Sequence, residues 1–331
     1  MKPIIPFALL GALLAVGAAK AAVTDPVGYN TITLPAGQFT FVGITVHNPT
    51  VSGGLITAES ASSVTVGTTD FVALLGAPGP TNTHILELPD GTIQEIISWT
   101  NTGEITTPDD ITAQVVPGTT TYKIRKASTI SSVFGATNSA GLIASPDGNF
   151  EDNADVITVI GAGGVPTKVY YFNDGAGTTG WFTGGNDPAE NLPLVHADGF
   201  YIEKIAASPA LVISGEVKVT ATKGMLINGY NFVSPVAPVG LTLDNSNLKD
   251  FLVASPDGDL GAPTVDNVLI PQPNGSFITC YYFNDGAGTT GWFQSNNDPA
   301  GSLALEGGFI ILNKGATKPY TLSLPNTWNL N

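Results

Sequence analysis

The stretch "YYFNDGAGTTGWF" occupies residues 170–182 and recurs without a change at 281–293, 111 positions later. Each copy reads as an aromatic strand, an eight-residue loop and a second aromatic strand. Asn173-Asp174-Gly175 opens a turn, and Gly177 and Gly180 allow close backbone approach. Side chains alternate along a strand, so Tyr170 and Phe172 share one face and Tyr171 takes the other. The pattern is that of a β-hairpin with one aromatic face in a core, alongside Trp181 or Phe182.

The duplication is wider than these thirteen letters. "IASPDG" at 143–148 matches "VASPDG" at 253–258, "NDPA" at 186 matches "NDPA" at 297, and "GFYIEK" at 199 matches "GFIILNK" at 308. A weaker copy lies upstream: "LPDG" at 88–91, Trp99, "TPDD" at 107–110 and "TYKIRK" at 121. Each module thus carries Pro-Asp-Gly, one Trp (Trp99, Trp181 or Trp292), an acidic turn and a strand ending in Lys. The fourth tryptophan is Trp328. Leader segments precede the modules, "TLPAGQFTFVGITVHNP" at 33 and "ATKGMLINGYNFVSPVAP" at 221. The simplest division has two unequal halves. Residues 22–208 hold one leader and two modules, at about 84–126 and 143–204; residues 209–331 hold one leader and one module, at about 252–314.

Short β-branched and aromatic runs dominate the rest of the chain, separated by turn formers. There are 39 Gly and 24 Pro, with Asp-Gly pairs at 90, 147, 174, 198, 257 and 285. Many short strands between regular turn signals predict an all-β fold of repeated β-sandwich or barrel-like units. "TTDFVALLG" at 68 and "NSNLKDFLV" at 245 predict a few short helices, since capping residues precede an apolar run.

The N-terminus reads as a signal peptide over residues 1–21. Lys2 gives a positive start, Phe7 to Ala19 an uncharged run too short to span a bilayer, and Ala19-Lys20-Ala21 a small-x-small cleavage site. The expected destination is the periplasm or the cell exterior, with no transmembrane anchor. Cleavage would remove Lys2 and Lys20, leaving 10 basic against 27 acidic residues, a net charge of −17. Such a chain repels phosphate backbones, which argues against nucleic-acid partners. Charged residues are only 12% of the chain, so Thr, Ser, Asn and Gly build much of its surface. The single cysteine, Cys280, excludes an internal disulfide. It stands where the other copy has Val169, and so reads as a small buried apolar residue.

Two kinds of site are written into the repeats. Exposed aromatic rings stack on sugars and Asn and Asp bond hydroxyls, which makes Tyr171, Asn173, Asp174 and Trp181, with Tyr282, Asn284, Asp285 and Trp292, candidate ligand residues. Two copies would engage a polysaccharide bivalently. Hard oxygen ligands suit Ca²⁺, and "SPDGNFEDNAD" at 145 and "SPDGDLGAPTVDN" at 255 offer Asp147, Asn149, Asp152 and Asp155, then Asp257, Asp259 and Asp266. Neither stretch has EF-hand spacing. His47, His84 and His196 lack partners at ligand spacing, "GAGG" at 161–164 reads as a loop, and no catalytic motif stands out. A carboxylate pair of a glycoside hydrolase has no sequence position to mark it.

The order of pieces resembles a family of uncharacterised exported proteins of verrucomicrobial and similar environmental bacteria. The features are the signal peptide, "DPVGYNTITLPAG" at 25, "YKIRKASTISSVFG" at 122 and a closing Trp-then-"GFxI" strand. The resemblance implies export and a β-rich fold, and brings no activity or catalytic residues. The expected role is that of an exported, non-enzymatic protein of structural, cell-envelope or adhesive function, with other cell-surface proteins or further copies of itself as partners. A polysaccharide-binding protein using the Trp-bearing loops is the alternative, and a glycoside hydrolase stands third.

Overall fold

A computed structural model describes residues 26–325 except 161–164, 196–197, 236, 238 and 273. The signal-peptide segment, "GAGG", His196 and Trp328 lie outside the described residues. The chain is all-β, folded into antiparallel sheets with a few one-turn helices. Among the described residues no helix is long and apolar enough to cross a membrane.

Three hydrophobic cores divide the fold into three units. One gathers Ile56, Phe71, Leu86, Trp99 and Ile124. The middle core holds Val42, Phe134, Ile157, Trp181 and Phe200, and the last Val233, Leu248, Val268, Trp292 and Phe309. The same strand order recurs around each of them: a leader strand at the edge, then the closing strand, then the first and second strands of the module. In the middle unit the leader is Phe39–Gly43, the closing strand Gly199–Glu203, the first strand Val156–Ile160, the second Pro166–Asn173 and the third Thr179–Thr183. The last unit repeats this with Gly229–Val233, Phe309–Asn313, Asn267–Pro271, Phe277–Asn284 and Thr290–Gln294. The unit around Trp99 brings its own leader, Thr50–Leu55, beside Thr121–Lys126, His84–Glu87 and Ile93–Ile96. The leader predicted at 33–49 therefore serves the 143–204 module and not the 84–126 module that follows it.

A smaller antiparallel ribbon covers each five-stranded sheet, three-stranded in the middle unit, where Val46–His47 joins it, and two-stranded in the last. Val27–Ile32 pairs with Leu211–Val217 in the middle unit, and Thr222–Leu226 with Lys318–Leu322 in the last. Leu211, Ile213 and Val217 enter the middle core, which thus reaches past residue 208. The predicted helices form where capping and apolar residues meet. Asp70 caps Phe71–Leu75 by accepting the Ala73 N–H, and Leu248–Asp250 is a single 3-10 turn. A further helix, Ile130–Phe134, carries a reciprocal cap between Thr129 and Ser132.

The middle and last units meet through their leader edges, and the contacts are reciprocal. By strand register Phe41 and Phe232 are equivalent, and their rings stack at 5.7 Å and 12°. Gly199 lies in contact with the Val233 backbone, and the equivalent Gly308 with that of Val42, where a Cβ would be crowded. Gly43 lies against its own equivalent, Ser234. This is the pattern of an isologous twofold contact, here made within one chain. Each leader hides the other's open edge, and an open edge invites aggregation.

Candidate functional site

The two thirteen-residue copies fold alike. Tyr170, Tyr171, Phe172 and Asn173 face Phe182, Trp181, Gly180 and Thr179, and their counterparts 111 residues later keep the same register. The loop is made by its own polar groups. Asp174 Oδ1 accepts the N–H of Ala176 at 2.8 Å and of Thr178 at 3.0 Å; Asp285 does the same for Ala287 and Thr289 at the same distances. Asn173 and Asn284 accept from Gly175 and Gly286, each at 3.0 Å. Gly175 and Gly286 both sit at φ 68°, in the left-handed region where glycine is cheapest.

The aromatic residues turn inward. Trp181 is 1% exposed and Trp292 3%, and each meets its cross-strand tyrosine, Tyr171 or Tyr282, edge to face at 5.0 and 5.3 Å. Tyr171 is buried and Tyr282 half-buried, so neither tryptophan offers a ring face to a sugar. Asn173, Asp174, Asn284 and Asp285 are exposed at the loop tip, about their own turns. The third strand of each sheet is also self-covered. Ala189 N–H bonds Trp181 O, Thr183 N–H bonds Asp187 O, and Ala300 and Gln294 repeat this around Trp292. These turns blunt what would otherwise be two open sheet edges.

Comparison with family models, characterised proteins and solved structures gave no match. The function must therefore be argued from the site itself.

One difference between the copies matters. Trp181 Nε1 donates to Gly135 O at 2.8 Å, the carbonyl just past helix Ile130–Phe134. Trp99 does the same to Gly76 O beyond helix Phe71–Leu75, also at 2.8 Å. The last unit has only the 3-10 turn, and the buried Trp292 Nε1 has no partner among the described residues. Replacing Trp181 by Phe should therefore cost about 1 kcal/mol more than replacing Trp292 by Phe, because only the first change breaks a hydrogen bond. Urea melts of the two variants compare them directly.

The proposed calcium residues are spread over different tasks. Asp147 Oδ1 accepts from Asn149 N–H at 3.0 Å and Asn153 Nδ2 at 2.9 Å. Asp257 accepts from Asp259 N–H at 3.1 Å, and Asp259 from Gly261 N–H at 2.8 Å. Asp155 and Asp266 leave these loops altogether. They lie buried at the start of the first strands, where lysines meet them. Of the Asp152 side chain nothing is described, and no group of three candidate metal ligands occurs among the described residues. With backbone amides and lysines already holding these carboxylates, a chelator should leave the melting temperature unchanged; a clear drop would restore a cation to the account.

Cys280 occupies the place of Val169: it pairs with Val268 as Val169 pairs with Ile157. Fully buried, its thiol is pushed up to about 12 by desolvation, far from a nucleophile's range. His84 is buried edge-on to Trp99, and His47 is buried in the middle unit's ribbon.

Electrostatics follow the same division. The Ala176 N–H and its neighbours hold the Asp174 carboxyl below its ordinary 3.8, and the Ala287 N–H and its neighbours act likewise on Asp285. A depressed carboxyl lends stability above its unfolded pKa and loses it as pH falls through the folded value, so these turns weaken only below about 3.8. Asp198 is the opposite case. It lines a cleft with Glu95, and there desolvation first and Glu95 second push it up to about 6, an effect that solvent moderates because the residue is exposed. A raised carboxyl costs stability above its folded pKa, and the cost fades as pH falls through that value. Asp198→Asn should therefore raise the melting temperature at pH 7 to 8, with the gain shrinking below about pH 6 and vanishing only near the ordinary 3.8. His84, lowered by burial, shifts the profile the other way below 6.5, so variant and parent must be compared at each pH.

Proposed function

We propose that this chain is an exported, non-enzymatic β-repeat protein with a structural role in the cell envelope or in adhesion. The observation that carries this reading is the use made of the repeated residues. The three module tryptophans are core residues, and the repeated Asp and Asn side chains hold turns. A string kept identical for its fold is what a scaffold built from copies of one hairpin requires. Export rests on the signal-peptide reading of residues 1–21, and the low charge with an acidic balance suits an extracellular surface. The membership suggested by "DPVGYNTITLPAG" and "YKIRKASTISSVFG" points the same way.

The test has two parts. Expressed with its leader in a Gram-negative host, the chain should be recovered outside the cytoplasm with Ala22 as its first residue. The purified mature chain should release no reducing sugar from a panel of polysaccharides. Retention of the full chain in the cytoplasm, or turnover lost on substituting one carboxylate, would overturn the proposal.

A further inference from the structure

A cleft of about 390 Å³ opens where the middle and last units meet. Its walls include Gln38, Phe39, Thr40 and Phe41 of the middle unit, and Gln272 and Glu306 of the last. The volume is in the range of small-molecule sites, and unit junctions are where such sites commonly form. Phe41 is a fixed platform. Phe232 stacks on it at 5.7 Å, Phe277 meets it edge-on at 5.2 Å, and Tyr201 leans on it at 5.6 Å. Phe39 stands beside it, 47% exposed, with its ring against Tyr201.

The polar groups narrow the ligand class. The residues lining the cleft include no Lys, Arg or His, and Glu306 is exposed among them, which disfavours an anion. An apolar occupant would strip water from Gln38 and Glu306 and return no hydrogen bond. An organic cation would suit Glu306 but would offer no acceptor to the N–H donors of Gln38 or the Thr hydroxyls. Gln272 Nε2 already donates to Pro271 O at 3.0 Å, which leaves its carbonyl oxygen as an acceptor. Amide donors, amide and carboxylate acceptors and Thr hydroxyls beside flat apolar rings suit a ligand whose groups both donate and accept. A sugar ring has that character, with hydroxyls at its rim and C–H groups on its face.

We propose that this cleft binds a neutral saccharide segment, with Phe39 and Phe41 under the ring and Gln38, Gln272 and Glu306 bonding its hydroxyls. The site goes beyond the scaffold role and does not depend on it. It is also distinct from the Trp-bearing loops, whose rings are inside.

The mature chain would be screened on an array of neutral hexasaccharides of glucose, mannose, xylose, galactose and N-acetylglucosamine, and the best hit titrated by calorimetry. Phe39→Ala and Gln38→Ala should each weaken binding roughly tenfold or more, with the melting temperature unchanged. A control, Thr178→Ala with Thr289→Ala at the hairpin tips, should leave affinity as it was. Absence of any neutral-saccharide binding at millimolar concentration overturns the proposal. So does a hit indifferent to both cleft variants, or one lost in the hairpin control.

Discussion

Arg125→Ala should destabilise the protein by about 3–5 kcal/mol, the usual cost of removing one partner from a buried charge network. Arg125 is 1% exposed, on the closing strand of the unit around Trp99. Its Nε donates to Glu87 Oε2 at 3.0 Å, and its Nη1 donates to Asn48 O at 2.9 Å and meets Glu216. Glu87 belongs to the same unit, whereas Glu216 belongs to the ribbon over the middle core. One guanidinium therefore ties two units together and separates two carboxylates. Without it, Glu87 and Glu216 face each other in a poorly solvated place, where their repulsion is weakly screened. The nearby Lys218 does not replace it, because its ammonium already donates to Ala221 O at 2.6 Å and to Thr220. Arg125→Lys should recover only part of the loss, since an ammonium lacks the planar fork that reaches several acceptors at once. Urea unfolding would measure both variants. Because proteins of this size are stable by only about 5–15 kcal/mol, the alanine variant should also melt much earlier. A loss under about 1 kcal/mol would mean that solvent screens the network.

Much of the architecture is legible in the letters because it is local. Five of the six Asp-Gly pairs put their glycine at positive φ, at 91, 148, 175, 258 and 286, as tight turns demand. The sixth, Asp198-Gly199, instead opens a strand, where Asp198 bridges to the last unit's Val233 and Gly199 lies against it. That contact comes from a partner some thirty residues away and leaves no local trace. The direction of the tryptophans was likewise unreadable. Alternation separates Tyr170 from Tyr171 but does not say which face meets the ribbon and helix that build the core. The closing lysines mislead for a simpler reason. "GFYIEK" and "GFIILNK" differ by one residue, so register makes Asn313, not Lys314, the equivalent of Lys204. Asn313 fills that place by donating to the carbonyls of Leu226, Ile227 and Ala316. The Asp155 and Asp266 roles could have been suspected from sequence, since each stands just before the first strand of its module.

Those two aspartates set up the second large effect. Asp155 and Lys204 are wholly buried and in contact, with Asp155 also accepting from Ile143 N–H at 2.6 Å and Ile205 N–H at 2.8 Å. The carboxylate thus fastens three segments: the loop before the module, the first strand and the chain leaving the closing strand. Asp155→Ala strands an ammonium and two amides in the interior, and should cost about 3–5 kcal/mol. Lys204→Met should cost less, because the two amide donors still serve the carboxylate. Asp155→Asn, close in shape, keeps acceptance for one amide but still strands the ammonium, and should fall between. The pair Asp155→Asn with Lys204→Met removes both charges, so its loss should be smaller than the sum of the two single losses, by about 1–3 kcal/mol. Asp266 provides the comparison. Its amide donors are Val253 and Lys314, but its cation, Lys318, comes from the ribbon and keeps 21% exposure. Asp266→Ala leaves a lysine that can turn to water, so it should cost less than Asp155→Ala by about 1 kcal/mol or more. Equal losses at the two sites would show that the amide bonds, and not the buried ammonium, carry the effect.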